Sequence, residues 1–445
     1  MSHVHRQRAM TLMEVLFVVF IMGMLMALVL PAVRQVREAA RCNMSSACVL
    51  AATVAVGTVL RCHGISTRSL WFDEAFSWRV SQSPVIEVIE RCARDNHPPL
   101  YFLALKGWRF VLGDSSVSLR ALSVFSGAIA VIGVYLLVRE AWPASGTPPS
   151  AADREPPSEL GADRTNAVVV ATTGGHASAA AQRAARFAAL LAAALVAVNA
   201  FQVRWGWEAR MYALGTALAA LSSWAMFRAL HARRRLWSAW SLYGVLALLF
   251  AYTHVYALFS IAAQFLFLIL YAAIDARFQP SRLRMLPYLR PMAAALALFA
   301  VGLAPWLPCL ARQRAQVQAD FWTGPVRAWD VADLCYHMLA LPENGAANHP
   351  QAACAAAFCA AVLLLLVWRP RAIDAYLVLA TVVPLEASLL VSALDTRIFC
   401  ARYFVFAGLF FCAASARLAG RIQHPFLSGL VALGFSVCFV CVTMW

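Results

Sequence analysis

Residues 69–77 read Ser69-Leu-Trp-Phe-Asp73-Glu74-Ala-Phe-Ser77 and place two adjacent carboxylates shortly after an apolar run. The chain has 445 residues, of which 62% are hydrophobic and only 13% are charged. Charged side chains near a lipid bilayer are costly, so those that a membrane protein keeps usually mark a site or a boundary. The pair therefore predicts a polar site at a membrane surface that faces a polar acceptor.

Many apolar runs of about 17–22 residues follow one another along the chain, and a helix of that length crosses a hydrocarbon core. A soluble domain could not bury so much apolar surface, and a transmembrane β-barrel would show short alternating segments instead. The sequence thus predicts an all-α polytopic membrane protein. The twelve cysteines contain no CxxC pair, so we interpret them as packed hydrophobic residues.

The apolar runs predict about eleven membrane-spanning helices. The long segment 61–117 between the first two is amphipathic, and its residues 84–93 and 99–110 are typical of interfacial helices. Residues 140–182 are rich in Pro, Ala, Ser, Gly and Thr, which predicts a disordered loop. The predicted spans are 44–60, 119–138, 184–201, 211–229, 237–253, 255–274, 291–309, 354–368, 373–392, 403–416 and 426–443.

The net charge of +15 is carried by arginines that flank these spans, so it predicts orientation rather than a nucleic-acid partner. If the spans alternate, the arginine-rich loops fall on one side, which we predict to be cytoplasmic. The loops 61–117, 202–210, 310–353 and 393–402 then share the outer side of the cell inner membrane.

The first 43 residues form a separate predicted segment with one extra apolar stretch. Residues 6–41 resemble the N-terminus of type IV prepilin-like proteins, with a basic leader, then Thr11-Leu-Met-Glu14 and an apolar helix, which implies cleavage after Ala9. An ordinary first membrane helix or signal anchor is the alternative. The alternating orientation conflicts with the leader arginines, so we expect activity not to need an intact N-terminus.

The unusual polar residues gather in the predicted outer loops. Asp73, Glu74 and His97 belong to the first of these loops. The others contribute the motifs Trp205-Gly-Trp-Glu208-Ala-Arg210-Met-Tyr212, Tyr252-Thr-His254-Val-Tyr256 and Arg402-Tyr403. A transporter would place such groups near the middle of the membrane, so their gathering at one face favours an enzyme over a transporter or flippase of lipid-linked saccharides.

In their order and spacing over residues 44–417, these motifs resemble the GT-C glycosyltransferases. The nearest branch contains bacterial relatives of protein O-mannosyltransferases and lipid A aminoarabinose transferases. The resemblance implies a GT-C-like transmembrane module over residues 44–445. It also implies a sugar carried on polyprenyl phosphate and transferred outside the cytoplasm to a lipid, glycan or protein acceptor.

Glycosyl transfer needs a base for the acceptor and positive charge for the departing lipid phosphate. A carboxylate near the acceptor suits the first task, and Asp73 matches the catalytic acidic residue of the family. Glu74 would then assist or orient the acceptor. The alternative is that both carboxylates only cap a helix next to the membrane.

Arg210 and Arg402 are the candidates for holding the donor phosphate, because arginine presents a permanently charged fork of donors. Snorkelling toward lipid headgroups is the alternative for both. His97 occupies a position where relatives often carry His or Lys near the phosphate, and a hydrogen-bonded structural role is its alternative.

Glu208 could bind a divalent metal together with Asp73 or pair with Arg210 in a salt bridge, and the sequence leaves both open. That metal is the one candidate cofactor. Tyr212, His254 and Tyr403 complete the predicted substrate-binding set. Their rings could stack on sugar or line a lipid groove, and an interfacial aromatic belt would explain them as well.

Overall fold

The computed structural model describes residues 46–142, 164–278, 286–319, 323–339, 349–368 and 370–421. All regular secondary structure within these ranges is helical, which confirms the all-α prediction. The predicted prepilin-like segment and the predicted span 426–443 lie outside the described residues.

We number the α-helices in chain order over the described residues, and two short 3-10 turns precede α12 and α16. They are α1 (Ser46–Cys62), α2 (Phe72–Gln82), α3 (Val85–Arg94), α4 (Leu100–Leu112), α5 (Ser116–Glu140), α6 (Arg164–Val198), α7 (Ala200–Gly206), α8 (Tyr212–His231), α9 (Leu236–Ala251), α10 (Ala257–Phe278), α11 (Leu286–Leu303), α12 (Leu307–Ala319), α13 (Asp330–Leu339), α14 (His349–Val367), α15 (Ala372–Leu394) and α16 (Val405–Arg421).

Eight segments in the described residues are long and apolar enough to cross a membrane, and the apolar helices α1 and α9 are shorter. These ten positions coincide with the ten predicted spans between residues 44 and 416. The two predicted interfacial segments are the helices α3 and α4. The apolar runs therefore located the helices because each run must satisfy its backbone groups internally in lipid.

Two predicted loops contain more helix than expected. Within the stretch 140–182, predicted to be disordered, helix α6 begins at Arg164, and residues 143–163 lie outside the described part. Alanine is abundant after residue 176 and has the highest helix propensity. The prediction of disorder rested on composition and did not take this propensity into account. The predicted outer loop 310–353 contains the end of α12, all of α13 and the start of α14.

The centre of the bundle consists of α5, α6, α8 and α16, whose membrane-length segments are mostly buried. Fully buried alanines such as Ala192, Ala193, Ala413 and Ala414 lie on α6 and α16. Small residues let helix backbones approach closely where lipid supplies no hydrophobic driving force. In the corresponding segments of α10, α11, α14 and α15, only 22–39% of the residues are buried, as expected for helices around such a centre.

A buried ion pair joins the start of α15 to the end of α16. Arg417 Nε donates to Asp374 Oδ1 at 2.7 Å, and both side chains are fully buried. The Arg417 guanidinium also lies 3.6 Å from the ring centroid of Trp142, just after α5. Arg421 approaches the other Asp374 oxygen at 3.7 Å. This network fixes the start of α15 and the end of α16 against the residues just after α5.

Removing the charge of Asp374 should destabilise the protein, because it leaves the Arg417 charge buried without its anion. We expect Asp374→Asn to lose about 3–5 kcal/mol of stability, measured as a lower unfolding temperature in detergent. Asp114→Asn is the control, since Asp114 is half exposed and pairs with Arg109. An ion pair at the surface contributes only about 0–1 kcal/mol to stability. Equal unfolding temperatures for the two variants would contradict this role of Asp374.

Candidate functional site

The adjacent carboxylates Asp73 and Glu74 lie in the first turn of α2 and point in different directions. Successive helical residues are rotated by about 100°, so neighbours seldom face the same surroundings. The Glu74 side chain is fully buried, whereas 22% of the Asp73 side chain is exposed toward a cavity. The two residues therefore lie in different surroundings.

Glu74 is held by a bidentate ion pair with Arg120 from the start of α5. Arg120 Nε donates to Glu74 Oε1 at 2.9 Å, and Nη2 donates to Oε2 at 2.6 Å. The Ala209 backbone N–H donates to the same carboxylate at 2.8 Å. The remaining Arg120 donors reach the carbonyls of Ile65, Arg68 and Ser69.

The structure thus places Glu74 away from the cavity, and its predicted role in catalysis or in orienting the acceptor stays a prediction. Its carboxylate is occupied by donors inside the protein, and it does not line the cavity. Sequence reasoning also missed Arg120. A single arginine inside the first turns of a long apolar helix was the available signal, because such a charge needs a partner.

Asp73 lines a cavity of about 880 Å³ at the end of the bundle where the predicted outer loops meet. One part of the wall is polar and the other is apolar, and the apolar part comes mainly from α10, α12, α15 and the segment after α15. The polar part contains Asp73, Asn96, His97, Arg210, His254, Arg402 and Tyr403, and Gln313, Arg314, Asp395 and Thr396 add polar groups beside the apolar part. The apolar part contains Leu258, Phe259, Leu310, Val317, Leu390, Val391, Leu394 and Ile398.

Two guanidinium groups converge on one oxygen of Asp73. Arg402 Nη1 lies 3.6 Å and Arg210 Nη2 lies 3.8 Å from Asp73 Oδ2. Both distances exceed the 2.7–2.9 Å of a direct charge-assisted hydrogen bond. The three side chains thus surround one place in the cavity where an anionic ligand could meet both cations and the carboxylate.

Arg210 is nearly fully buried, and its position is fixed by neighbours from the first outer loop. Its Nη1 donates to Ser77 Oγ and to the Asp73 carbonyl, both at 3.3 Å. Its Nη2 lies 2.9 Å from His97 Nε2, and His97 Nδ1 lies 2.7 Å from Asp95 Oδ2. Burial, followed by the positive charge of Arg210, holds the pKa of His97 below its ordinary value.

His254 and Tyr403 line the cavity, whereas Tyr212 lies behind them. His254 Nδ1 accepts the Tyr256 backbone N–H at 3.0 Å, and burial holds the pKa of His254 well below its ordinary value. The centroids of the His254 and Tyr403 rings are 5.3 Å apart. Tyr212 is buried with its ring 5.8 Å from His254, so it supports that ring and does not reach the cavity.

Glu208 does not form the salt bridge with Arg210 that the sequence suggested. Its Oε1 accepts a hydrogen bond from Arg204, and it does not line the cavity of Asp73. Burial raises the pKa of Glu208. Within the described ranges, no group of three His, Cys, Asp or Glu side chains could hold a metal ion. Glu208 therefore pairs with Arg204 where a pairing with Arg210 was expected, and a metal shared with Asp73 stays a prediction.

Further polar residues of the cavity wall were missed by sequence reasoning. Arg314 on α12 makes a bidentate pair with Asp395, with Nε and Nη2 donating at 2.7 and 2.8 Å. Thr396 Oγ1 donates to the same carboxylate at 2.7 Å. Asp395 ends α15 beside the predicted loop 393–402, so proximity to the Arg402 motif was the available signal.

The structure of ArnT from Cupriavidus metallidurans bound to undecaprenyl phosphate is similar to this chain, with a TM-score of 0.50 and 12% sequence identity over 84% of this chain. The chain shares the fold of this structure. It spans 60% of the length of ArnT. The apo oligosaccharyltransferase of Archaeoglobus fulgidus is 13% identical, with 90% of this chain and 55% of that protein covered and a TM-score of 0.49. No family model and no curated protein matches the sequence.

Neutralising each of the two adjacent carboxylates should change the stability by very different amounts. Glu74→Gln removes the anion of a fully buried pair, so we expect a loss of about 3–5 kcal/mol and a clearly lower unfolding temperature. Asp73→Asn affects a partly exposed group at longer ion-pair distances, and we expect a change below about 1 kcal/mol. A larger loss for Asp73→Asn than for Glu74→Gln would contradict these assignments.

Proposed function

We propose that the protein transfers a sugar from a polyprenyl-phosphate-linked donor to a lipid, glycan or protein acceptor at the outer face of the cytoplasmic membrane. The observation that carries this proposal is the convergence of Arg210 and Arg402 on Asp73 in a cavity that also has an extended apolar wall. A lipid-linked sugar phosphate has the matching layout, with one anionic group between a polar sugar and a long apolar chain.

The donor phosphate would bind between Arg210 and Arg402. Guanidinium groups bind phosphate oxygens with paired donors, and a partly enclosed site strengthens that interaction. The GT-C relative ArnT was solved with undecaprenyl phosphate, which supports a ligand of this class. The polyprenyl chain would then lie along the apolar wall formed by residues such as Leu258, Leu310 and Val391.

In the transfer step, an acceptor oxygen or nitrogen attacks the anomeric carbon while the bond from that carbon to the phosphate oxygen breaks. The acceptor proton passes to the Asp73 carboxylate, which acts as general base. The bonding electron pair leaves with the polyprenyl phosphate, whose negative charge increases. Arg210 and Arg402 stabilise this developing charge from fixed positions, which lowers the barrier.

The arrangement also links the binding of the donor phosphate to the surroundings of Asp73. Arg210 and Arg402 both face its Oδ2 atom. A bound phosphate would supply the two guanidinium groups with another anion. The carboxylate would then be available to the acceptor, so donor binding and base activity would be coupled.

The orientation in the membrane follows from the two ends of the bundle. The cavity lies at the end that carries Asp73 and Arg402, whereas the Asp374, Arg417 and Arg421 network lies at the other end of α15 and α16. Arginine-rich loops remain on the cytoplasmic side of a membrane. This supports a cavity that opens on the outer side of the inner membrane.

The proposal is tested by transfer of labelled sugar from defined polyprenyl-phosphate donors by the purified full chain. Asp73→Asn should lower the transfer rate about 100-fold or more, because the base is lost while folding is kept. Arg402→Ala should raise the KM for the donor and lower the rate, whereas the control Asp114→Asn should act like the wild type. Asp114 is the matched control because it is a carboxylate of the same outer segment outside the cavity.

Full activity of Asp73→Asn would refute the proposed base. Movement of a lipid-linked saccharide across the membrane of reconstituted vesicles, without any sugar transfer, would support the alternative, a transporter or flippase.

A further inference from the structure

Three side chains from two parts of the chain form a hydrogen-bonded row that begins behind the cavity and reaches its wall. Asp95 follows the last residue of α3, His97 lies in the turn before α4, and Arg210 lies in the turn between α7 and α8. Asp95 Oδ2 is 2.7 Å from His97 Nδ1, and His97 Nε2 is 2.9 Å from Arg210 Nη2. Asp95 does not line the cavity and reaches it only through His97 and Arg210.

The chemistry of the outer members determines the protonation of the middle one. A guanidinium group only donates hydrogen bonds, so His97 Nε2 must accept from Arg210 and carry no proton. A carboxylate only accepts, so His97 Nδ1 must carry the proton that it donates to Asp95. His97 is thus a neutral imidazole with its proton on Nδ1.

We infer that Asp95 is a positioning residue of the donor site. By holding the His97 proton on Nδ1, it leaves the Nε2 lone pair for Arg210 and so fixes the guanidinium toward the place of the donor phosphate. This inference rests on the proposed function for its catalytic consequence. Its structural content, the tautomer of His97, does not depend on that function.

The surroundings of His97 keep it neutral. The charged and titratable groups that face it are Asp95, Asp73 on α2, Arg210 and His254. The rings of Phe76 and Phe102 flank it, with centroids 6.4 and 6.1 Å away. Burial disfavours the imidazolium form, and Arg210 repels it, whereas Asp95 and Asp73 favour it.

A pH dependence follows with a definite sign. Protonation would place an N–H on Nε2 against the Arg210 guanidinium and break the contact. Because burial and Arg210 lower the pKa of His97, the row stays intact at neutral pH and fails only as the pH falls through that lowered pKa. Donor affinity should therefore show an acid limb that belongs to His97.

The first arm of the test measures the tautomer directly in the full chain. The protein is labelled with 15N-histidine, reconstituted into lipid bilayers and measured by NMR. Among its ten histidines, the His97 signal is the one that is lost in His97→Gln. We expect the Nδ1–H tautomer in the wild type and a shift toward Nε2–H in Asp95→Ala. An Nε2–H tautomer in the wild type would overturn the inference whatever the protein catalyses.

The second arm measures the KM for a polyprenyl-phosphate-linked sugar across pH. Asp95→Ala should raise the KM about tenfold with a smaller effect on kcat, since a positioning hydrogen bond is lost. Asp95→Asn can still accept from Nδ1–H, so its KM should stay within about threefold, with the acid limb moved to lower pH. His97→Gln offers Arg210 an amide oxygen that does not titrate, and its acid limb should disappear.

The outcomes separate the two claims. An unchanged KM and acid limb in Asp95→Ala, Asp95→Asn and His97→Gln would refute the positioning role, while Asp114→Asn serves as the matched carboxylate control. If the wild type shows the Nδ1–H tautomer but neither binds nor uses the donor, the proposed function fails and the hydrogen-bonded row stands. If Asp95→Ala does not fold, Asp95→Asn and His97→Gln still carry the test.

Discussion

The buried ion pair between Glu74 and Arg120 is the interaction on which the outer layer of the protein depends. Removing two charges from water costs several kcal/mol each, so the pair persists only because further hydrogen bonds satisfy both partners. Arg120 reaches three carbonyls of the loop before α2, and Glu74 accepts the Ala209 N–H. One contact thereby fixes α2 against α5 and against the turn that carries Arg210.

That anchoring determines the direction in which the adjacent Asp73 side chain points. With Glu74 turned into the bundle, the rotation of α2 directs Asp73 into the cavity, where Arg210 and Arg402 face it from two other segments. The buried carboxylate supplies rigidity, and the partly exposed one lines the cavity. The row of Asp95, His97 and Arg210 extends the same principle, since a site acts through groups that a second layer of contacts holds in place.

Much of this could be predicted from the sequence. The apolar runs located ten helices because a spanning segment must bond its own backbone in lipid. Alternation of the spans brought Asp73, Arg210 and Arg402 to one end although they lie far apart in the chain. What could not be predicted depends on rotation and partner choice. The pattern of residues did not show that Glu74 pairs with Arg120 or that Glu208 pairs with Arg204. It also did not show that α12 extends to Ala319 and forms part of the cavity wall.

The central claim is that this cavity receives a polyprenyl phosphate with its phosphate at Arg210 and Arg402. An experimental structure of the full chain in lipid nanodiscs with undecaprenyl phosphate tests it most directly. We expect phosphate oxygens within hydrogen-bond distance of both guanidinium groups and the polyprenyl chain along the apolar wall of α10, α12 and α15. A phosphate bound elsewhere, with the cavity beside Asp73 left empty, would contradict it.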